Sequence, residues 1–289
     1  MSYRLLVLAV FATVAAAGEP IRHAFLAADP RAGRVVLVDE SGVVGWSCSA
    51  KDVCDATVLA DGRVLLSDRG GARIVARDGR AVWDYRAPAG AEVYTCQMLP
   101  DGNVLLCEAG TKRLVEVNPD GKVVVEIPVT TAASVHGQFR IARKLPDGAY
   151  LVAFWKEGMV KEIARDGRVR RTIGGLGEAY MAQRLSNGNT LIGCGDAHRV
   201  VEVDPAGALV WEVKENDIPG HPLRFAAQVT RLANGNTIIC NWPGHGHEGK
   251  QPMMVEVTRD KKVVWEFDGR DQLRGISGIH LLEGISTRP

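Results

Sequence analysis

The chain is written in one repeated unit, and the repeat limits its fold more than any other feature. Leu59-Ala60-Asp61-Gly62-Arg63-Val64-Leu65-Leu66 returns as Leu99-Pro100-Asp101-Gly102-Asn103-Val104-Leu105-Leu106, then at residues 145–152, 185–192 and 232–239, with a shortened copy at 281–284. A second element follows each first one. Its clearest copy is Val200-Val201-Glu202-Val203-Asp204-Pro205-Ala206-Gly207-Ala208-Leu209-Val210-Trp211, matched at 114–125, 160–171 and 254–265, with shorter versions ending at Trp46 and Trp83. A period of roughly 40–50 residues marks a repeat architecture, in which one unit cannot bury its apolar face alone.

Each unit reads as four short strands rich in Val, Leu and Ile, here named inner, second, third and outer. In one unit these are about 94–99, 103–108, 113–118 and 122–127. Asp-Gly and Asn-Gly stand where a tight turn needs a positive φ. Six such sheets packed radially cover one another's faces. The expected fold is therefore all-β: a six-bladed β-propeller of four-stranded antiparallel blades, in a single domain over 23–284. The ends agree. The sequence opens on a second, third and outer strand (24–28, 34–39, 43–47) and closes on a lone inner strand (279–282), so the two ends complete one blade. Trp46, Trp83, Trp211 and Trp265 share one outer-strand position, replaced by Val125 and Arg171 in two blades, and read as packing anchors between blades.

The first residues have the pattern of an export leader: Arg4, an apolar run over 5–14, and Ala15-Ala16-Ala17 before Gly18. The run is shorter than the roughly 20 residues that span a bilayer, so no membrane insertion is expected after cleavage at 1–17. This predicts a periplasmic or secreted protein. Export permits disulfides, and Cys48 with Cys54 form a candidate staple. Cys96 and Cys107 flank a turn whose Pro-Asp-Gly order favours a bulge, which would offset them. They, Cys194 and Cys240 read as packed thiols. A net charge of +1, from 35 basic and 34 acidic residues, argues against nucleic acid or a membrane surface as partner.

The predicted topology sorts the loops. The turns between inner and second strands, and between third and outer strands, lie on one face and are tight. The long loops, 128–138, 214–224 and 241–252, all fall on the other, together with His136, His198, His221, His245 and His247. Three constellations stand out on this elaborated face. Trp242-Pro243-Gly244-His245-Gly246-His247-Glu248-Gly249 offers two imidazoles and a carboxylate, a donor set suited to a divalent metal, or else a glycine-rich flap over the channel mouth. His136-Gly137-Gln138-Phe139-Arg140 and His221-Pro222-Leu223-Arg224 precede inner strands, and each offers a titratable His and an Arg able to grip an anion or, alternatively, to pair structurally with nearby acids. Tyr94 and Tyr180 hold the place of Arg140 in other blades, with Gln97 and Gln183 further along. They are candidate channel lining or buried strand packing. No phosphate loop, nucleophile elbow or paired Cys-x-x-Cys motif is present.

The repeat resembles those of the quinoprotein-like (PQQ-like) propellers. It is most similar to their arylsulfotransferase-like branch, on 185–192, 203–211 and 232–239. That resemblance implies a channel His carrying sulfate, with His and Arg around it, for which His136 and His221 beside Arg140 and Arg224 are the candidates. Quinone-dependent members have eight blades and adjacent cysteines, whereas this chain has six units and no adjacent pair, so PQQ is not expected. The sequence thus predicts an exported binding module for a small anionic or carbohydrate-like ligand or a protein partner on the elaborated face. The alternative is a transferase or hydrolase. Convergence of His136, His221, His245 and His247 is the geometric mark of a site.

Overall fold

The turns obey their residue chemistry, and the blades follow from them. At 99–103 the Leu99 N–H donates to the Asn103 carbonyl (2.8 Å) and the Gly102 N–H to the Leu99 carbonyl (3.0 Å), with Gly102 at φ 82°. Glycine takes that backbone conformation without steric cost. The Asp101 carboxylate accepts from the Asn103 N–H, a bond repeated by Asp61, Asp147, Asn187 and Asn234 in the other units. Cys96 accordingly pairs with Leu106 and not with Cys107.

The computed structural model describes residues 21–282, so the expected leader and residues 283–284 of the last repeat lie outside the described residues. Within them, twenty-four strands form six four-stranded antiparallel sheets, and the single helix is a 3₁₀ turn at Val135–Gly137. This is the predicted propeller. Blade one joins the inner strand Gly278–Leu281 to Phe25–Asp29, Arg34–Val38 and Val44–Ser49, with Phe25 opposite Leu281 and Ala28 opposite Gly278. Blades two to six then follow in chain order. No helix among the described residues is long and apolar enough to cross a membrane.

Buried second and third strands, such as those holding Leu65, Leu66, Leu105 and Leu106, fill the space between blades. Two polar belts join the blades. In the outer belt, the Nε1–H groups of Trp46, Trp83 and Trp211 donate to the carbonyls of Arg77, Asn118 and Arg259 in the next blade's turn. Arg171, at the equivalent position, donates to Asp204 in the same way, so a guanidinium replaces an indole in the same task. Burying most of an aromatic side chain also contributes about 2–3 kcal/mol per site. Val125 cannot donate. That joint is instead closed by Glu116, which accepts from Tyr150 and Lys144 of the next blade at 2.5 Å each. Glu116 belongs to the inner belt, where Glu162 meets Arg184 (2.8 Å), Glu202 meets Arg231 (2.8 Å) and Glu256 meets His23 (2.6 Å).

The candidate staple does not form. Cys48 lies on the outer strand Val44–Ser49, whereas Cys54 sits at the centre, just before the inner strand Ala56–Val58. The chain crosses the blade between them, and all six cysteines are free thiols.

Candidate functional site

The inner strands carry their side chains in rungs around the axis. Val58, Met98, Lys144, Arg184 and Leu281 each pair with the first residue of a second strand. Counting four residues back (58 − 4 = 54, and so on) gives Cys54, Tyr94, Arg140, Tyr180 and Ser277, all lining one pocket of about 250 Å³ on the elaborated face. Blade six has Ala227 at that position and presents Phe225 to the pocket instead. Trp155, Trp242, His136, His245, Arg69, Asp52 and Pro30 complete the wall.

Arg140 is the centre of this site. It is 4% exposed and lies between two aromatic faces, its guanidinium carbon 3.7 Å from the centre of the Trp155 ring and 4.2 Å from that of Tyr94. Its Nη1 donates to the carbonyls of His136 (2.7 Å) and Phe139 (2.9 Å). Its Nη2 donates to His136 Nε2 at 3.1 Å. Among the described residues no carboxylate forms an ion pair with it, while the other pocket arginine, Arg69, is spent on Glu92 (2.7 Å) and Asp52 (3.2 Å). A buried charge ordinarily has a counter-charge beside it, and Arg140 has aromatic faces and carbonyls in its place.

The imidazole of His136 is oriented on both sides. Its Nδ1 meets Glu92 Oε2 and the Tyr94 hydroxyl, each at 3.0 Å, which leaves Nε2 to accept from Arg140. That set of bonds fits the Nδ1–H tautomer. Burial opposes charge on Glu92, but donors from Tyr94, Arg69 and His136 outweigh it and hold the carboxyl down at about 2. Burial, together with the bond to Glu92, pushes the Tyr94 hydroxyl up. On the far wall Phe225 packs edge-on against Tyr180 (5.3 Å between centres), Trp242 (5.2 Å) and His245 (5.8 Å). Burial also raises Tyr180 and Cys54.

The glycine-rich motif builds this wall. A Cβ at Gly244 would meet the Trp242 ring at 1.8 Å, so glycine there lets the indole fold against its own loop. His245, at φ 56°, bonds Asp196 at 2.8 Å and leans edge-on against Trp242. Glu248 pairs with Arg31 (2.6 Å), and His247 is not part of the pocket. His245, His247 and Glu248 therefore do not come together as a ligand set, and no cluster of three His, Cys, Asp or Glu suited to a metal occurs among the described residues. From this loop Trp242 and His245 line the pocket, and the His245–Asp196 bond ties the loop to the neighbouring blade.

Of the sequence candidates, Tyr94, His136, Arg140, Tyr180, Trp242 and His245 meet in one pocket. His221 and Arg224 do not. His221 bonds Glu266 (2.5 Å), and Arg224 pairs with Glu215. The reason is spacing. Arg140 stands four residues before Lys144, whereas Arg224 stands seven before the equivalent Arg231 and ahead of the strand Ala226–Arg231, so it falls three residues short of the pocket rung. Phe225 consequently enters the pocket where the sequence suggested Arg224. The four histidines divide, with His136 and His245 at the pocket and His221 and His247 away from it. Cys54, Trp155, Phe225 and Ser277 went unread in the sequence, although the count that aligns Tyr94 with Arg140 also reaches Cys54 and Ser277.

Comparison with known proteins agrees with this architecture. A protein of unknown function from Bacteroides caccae, solved as a crystal structure, is 33% identical over 90% of this chain and 98% of its own, with a TM-score of 0.82. A virginiamycin B lyase from Staphylococcus aureus is 13% identical over 89% of this chain and 87% of its own, with a TM-score of 0.61. The WD40 propeller domain of Doa1 is 19% identical over 75% and 70%, with a TM-score of 0.58. The last two show the fold alone. No curated protein matches the chain in sequence. The family match is not to the arylsulfotransferase-like branch that the repeat resembles. It covers residues 35–262, and the chain belongs to the Mal s 1 allergenic protein-like family.

Proposed function

We propose that this protein is an exported binding module for a small organic anion with an apolar body, held in the pocket at the centre of the elaborated face. One observation carries the reading: Arg140 is buried, sandwiched between Trp155 and Tyr94, and without a carboxylate partner. Among the described residues its Nε–H and second Nη2–H have no acceptor, and they suit the two oxygens of a carboxylate. Tyr180, Phe225 and Trp242 supply the apolar walls. A pocket of about 250 Å³ is at the small end of ligand sites, which favours a ligand of one ring over an oligosaccharide or a protein segment.

Titration calorimetry with small aromatic and aliphatic carboxylates tests this. Wild type is expected to bind the aromatic acids, and Arg140→Met to lose about 30-fold or more, the scale of removing one side of a buried charged pair. Equal binding by both proteins would refute the proposal. A second reading, catalysis by His136, draws support from its orientation by Glu92. Against it, His136 Nε2 is engaged by Arg140 and not free to take a substrate proton. Turnover of an aryl sulfate donor, lost in His136→Ala, would establish the enzyme instead.

A further inference from the structure

The Arg140 cation shares one nitrogen with a group that can change its charge. Its Nη2 donates one hydrogen to His136 Nε2 at 3.1 Å and has a second to offer an anion. Two acceptors on one trigonal nitrogen stand about 5 Å apart. An anion on Arg140 is therefore a near neighbour of the His136 ring. That ring is open to the pocket, with 60% of its side chain exposed.

The groups around His136 decide when it can hold a second proton. From the strand Glu92–Met98, Glu92 and the Tyr94 hydroxyl face Nδ1, each at 3.0 Å. From Phe139–Lys144, Arg140 faces Nε2. Trp155 lies edge-on at 5.4 Å and does not ionise. Lys156, next to it, pairs with Glu178, and Arg69 pairs with Glu92 from behind (2.7 Å). Without ligand, an imidazolium would set its Nε2–H against the Arg140 guanidinium, and Glu92 is the acid that opposes that repulsion. A ligand carboxylate on Arg140 adds an opposite charge on the Nε2 side. Imidazole changes charge between about pH 5 and 8. Glu92, held at about 2, stays ionised through that window, while burial keeps the protons of Tyr94, Tyr180 and Cys54 in place.

We infer that anion binding at Arg140 is linked to proton uptake by His136, and that Glu92, which stands behind the pocket wall, is the positioning residue that sets this linkage. This rests on the anion reading of Arg140 and adds its control by pH. The proton comes from solvent and goes to Nε2, while Nδ1–H stays on Glu92 and no bond of the ligand changes. By reciprocity, the anion binds the imidazolium form more tightly, so affinity is highest at the acid end of the window and falls as pH rises through it.

Calorimetry with benzoate at low salt, from about pH 5.5 to 8 where a carboxylate stays ionised, tests this in buffers of different ionisation heat. Wild type is expected to bind about 4- to 10-fold more tightly at the acid end, the scale of opposite charges about 5 Å apart near a surface, and to take up a fraction of a proton. His136→Gln keeps an acceptor toward Arg140 that does not titrate, and should bind without pH dependence or proton uptake. Glu92→Gln should move the rise in affinity to lower pH by about one unit or more, the effect of removing a carboxylate beside an imidazole. A merely structural role of Glu92 would instead lower affinity equally at every pH. Should His136→Gln not fold, the Glu92→Gln shift stands as the test, because it requires a titrating group beside Glu92. Equal affinity across the window overturns the inference and spares the anion site. Proton uptake that persists in His136→Gln, or an unshifted rise in Glu92→Gln, overturns it as well. Failure of benzoate to bind at any pH overturns the Arg140 reading and this inference with it.

Discussion

Arg140 and Arg143 lie on the same inner strand, Phe139–Lys144, and both line the axis, but they live in different chemical settings. Arg143 faces the larger channel, about 930 Å³, that opens toward the tight turns, and it grips Asp55 through both Nη atoms at 2.7 and 2.8 Å. Lys144 and Arg231 each pair with a buried glutamate and Arg184 with the half-buried Glu162, and Gln97, Gln183 and Gln228 bridge adjacent inner strands through backbone groups. Arg140, three residues before Arg143, has aromatic faces and carbonyls but no acid. In the lower half of the axis the charged groups pair between blades. Among the described residues the upper half leaves one cation, Arg140, without an acid.

The largest expected contrast is in stability. Asp55→Ala strands a charge that Arg143 now shares, and should cost about 3–5 kcal/mol in chemical denaturation. Arg140→Met replaces a cation with an apolar chain of similar length between two aromatic rings, and should change stability by about 1 kcal/mol or less while abolishing anion binding. If the two substitutions cost the same, the division between structural and functional arginines fails.

Glu92 gives a smaller effect with a defined pH window. Its folded pKa lies at about 2, below the ordinary 4.5, because Tyr94, Arg69 and His136 donate to the charged form against the pull of burial. A depressed carboxylate stabilises the fold above its unfolded pKa, and that contribution fades as pH falls from 4.5 toward 2. Melting curves of wild type and Glu92→Gln should therefore converge between pH 5 and about 2.5, with wild type the more stable at neutral pH. A constant difference across that range would show that Glu92 acts only through packing.

The smallest effect belongs to the closing blade. His280 Nδ1 accepts from the Val58 N–H at 3.2 Å, tying the last inner strand to blade two. Burial lowers its pKa below the ordinary 6.5, with Asp55 pulling the other way and Arg143 adding to the fall. The neutral imidazole thus stabilises the fold above pH 6.5, and the contribution declines as pH drops through that value and below. His280→Gln keeps an acceptor that does not titrate, and should flatten this limb by a few tenths of a kcal/mol. Identical pH profiles in both proteins would show that the Val58 bond plays no part.

The repeat, the turn glycines and the complementary ends determined the six-bladed fold from sequence, because turn conformation and apolar alternation are local properties written in neighbouring residues. The same logic made Tyr94, Arg140 and Tyr180 legible as equivalent positions. What only the tertiary structure decided is partnership. Arg140 and Arg224 look alike in sequence, each a short step after a histidine. Arg224 falls three residues short of the position that Arg140 holds and pairs with Glu215, and Phe225 lines the pocket. His245, His247 and Glu248 look like ligands in a line, but Asp196 and Arg31, distant in the chain, claim two of them. Cys48 and Cys54, six positions apart, end on opposite sides of a blade. Pairing and its absence depend on contacts between blades, and those exist only once the ring has closed.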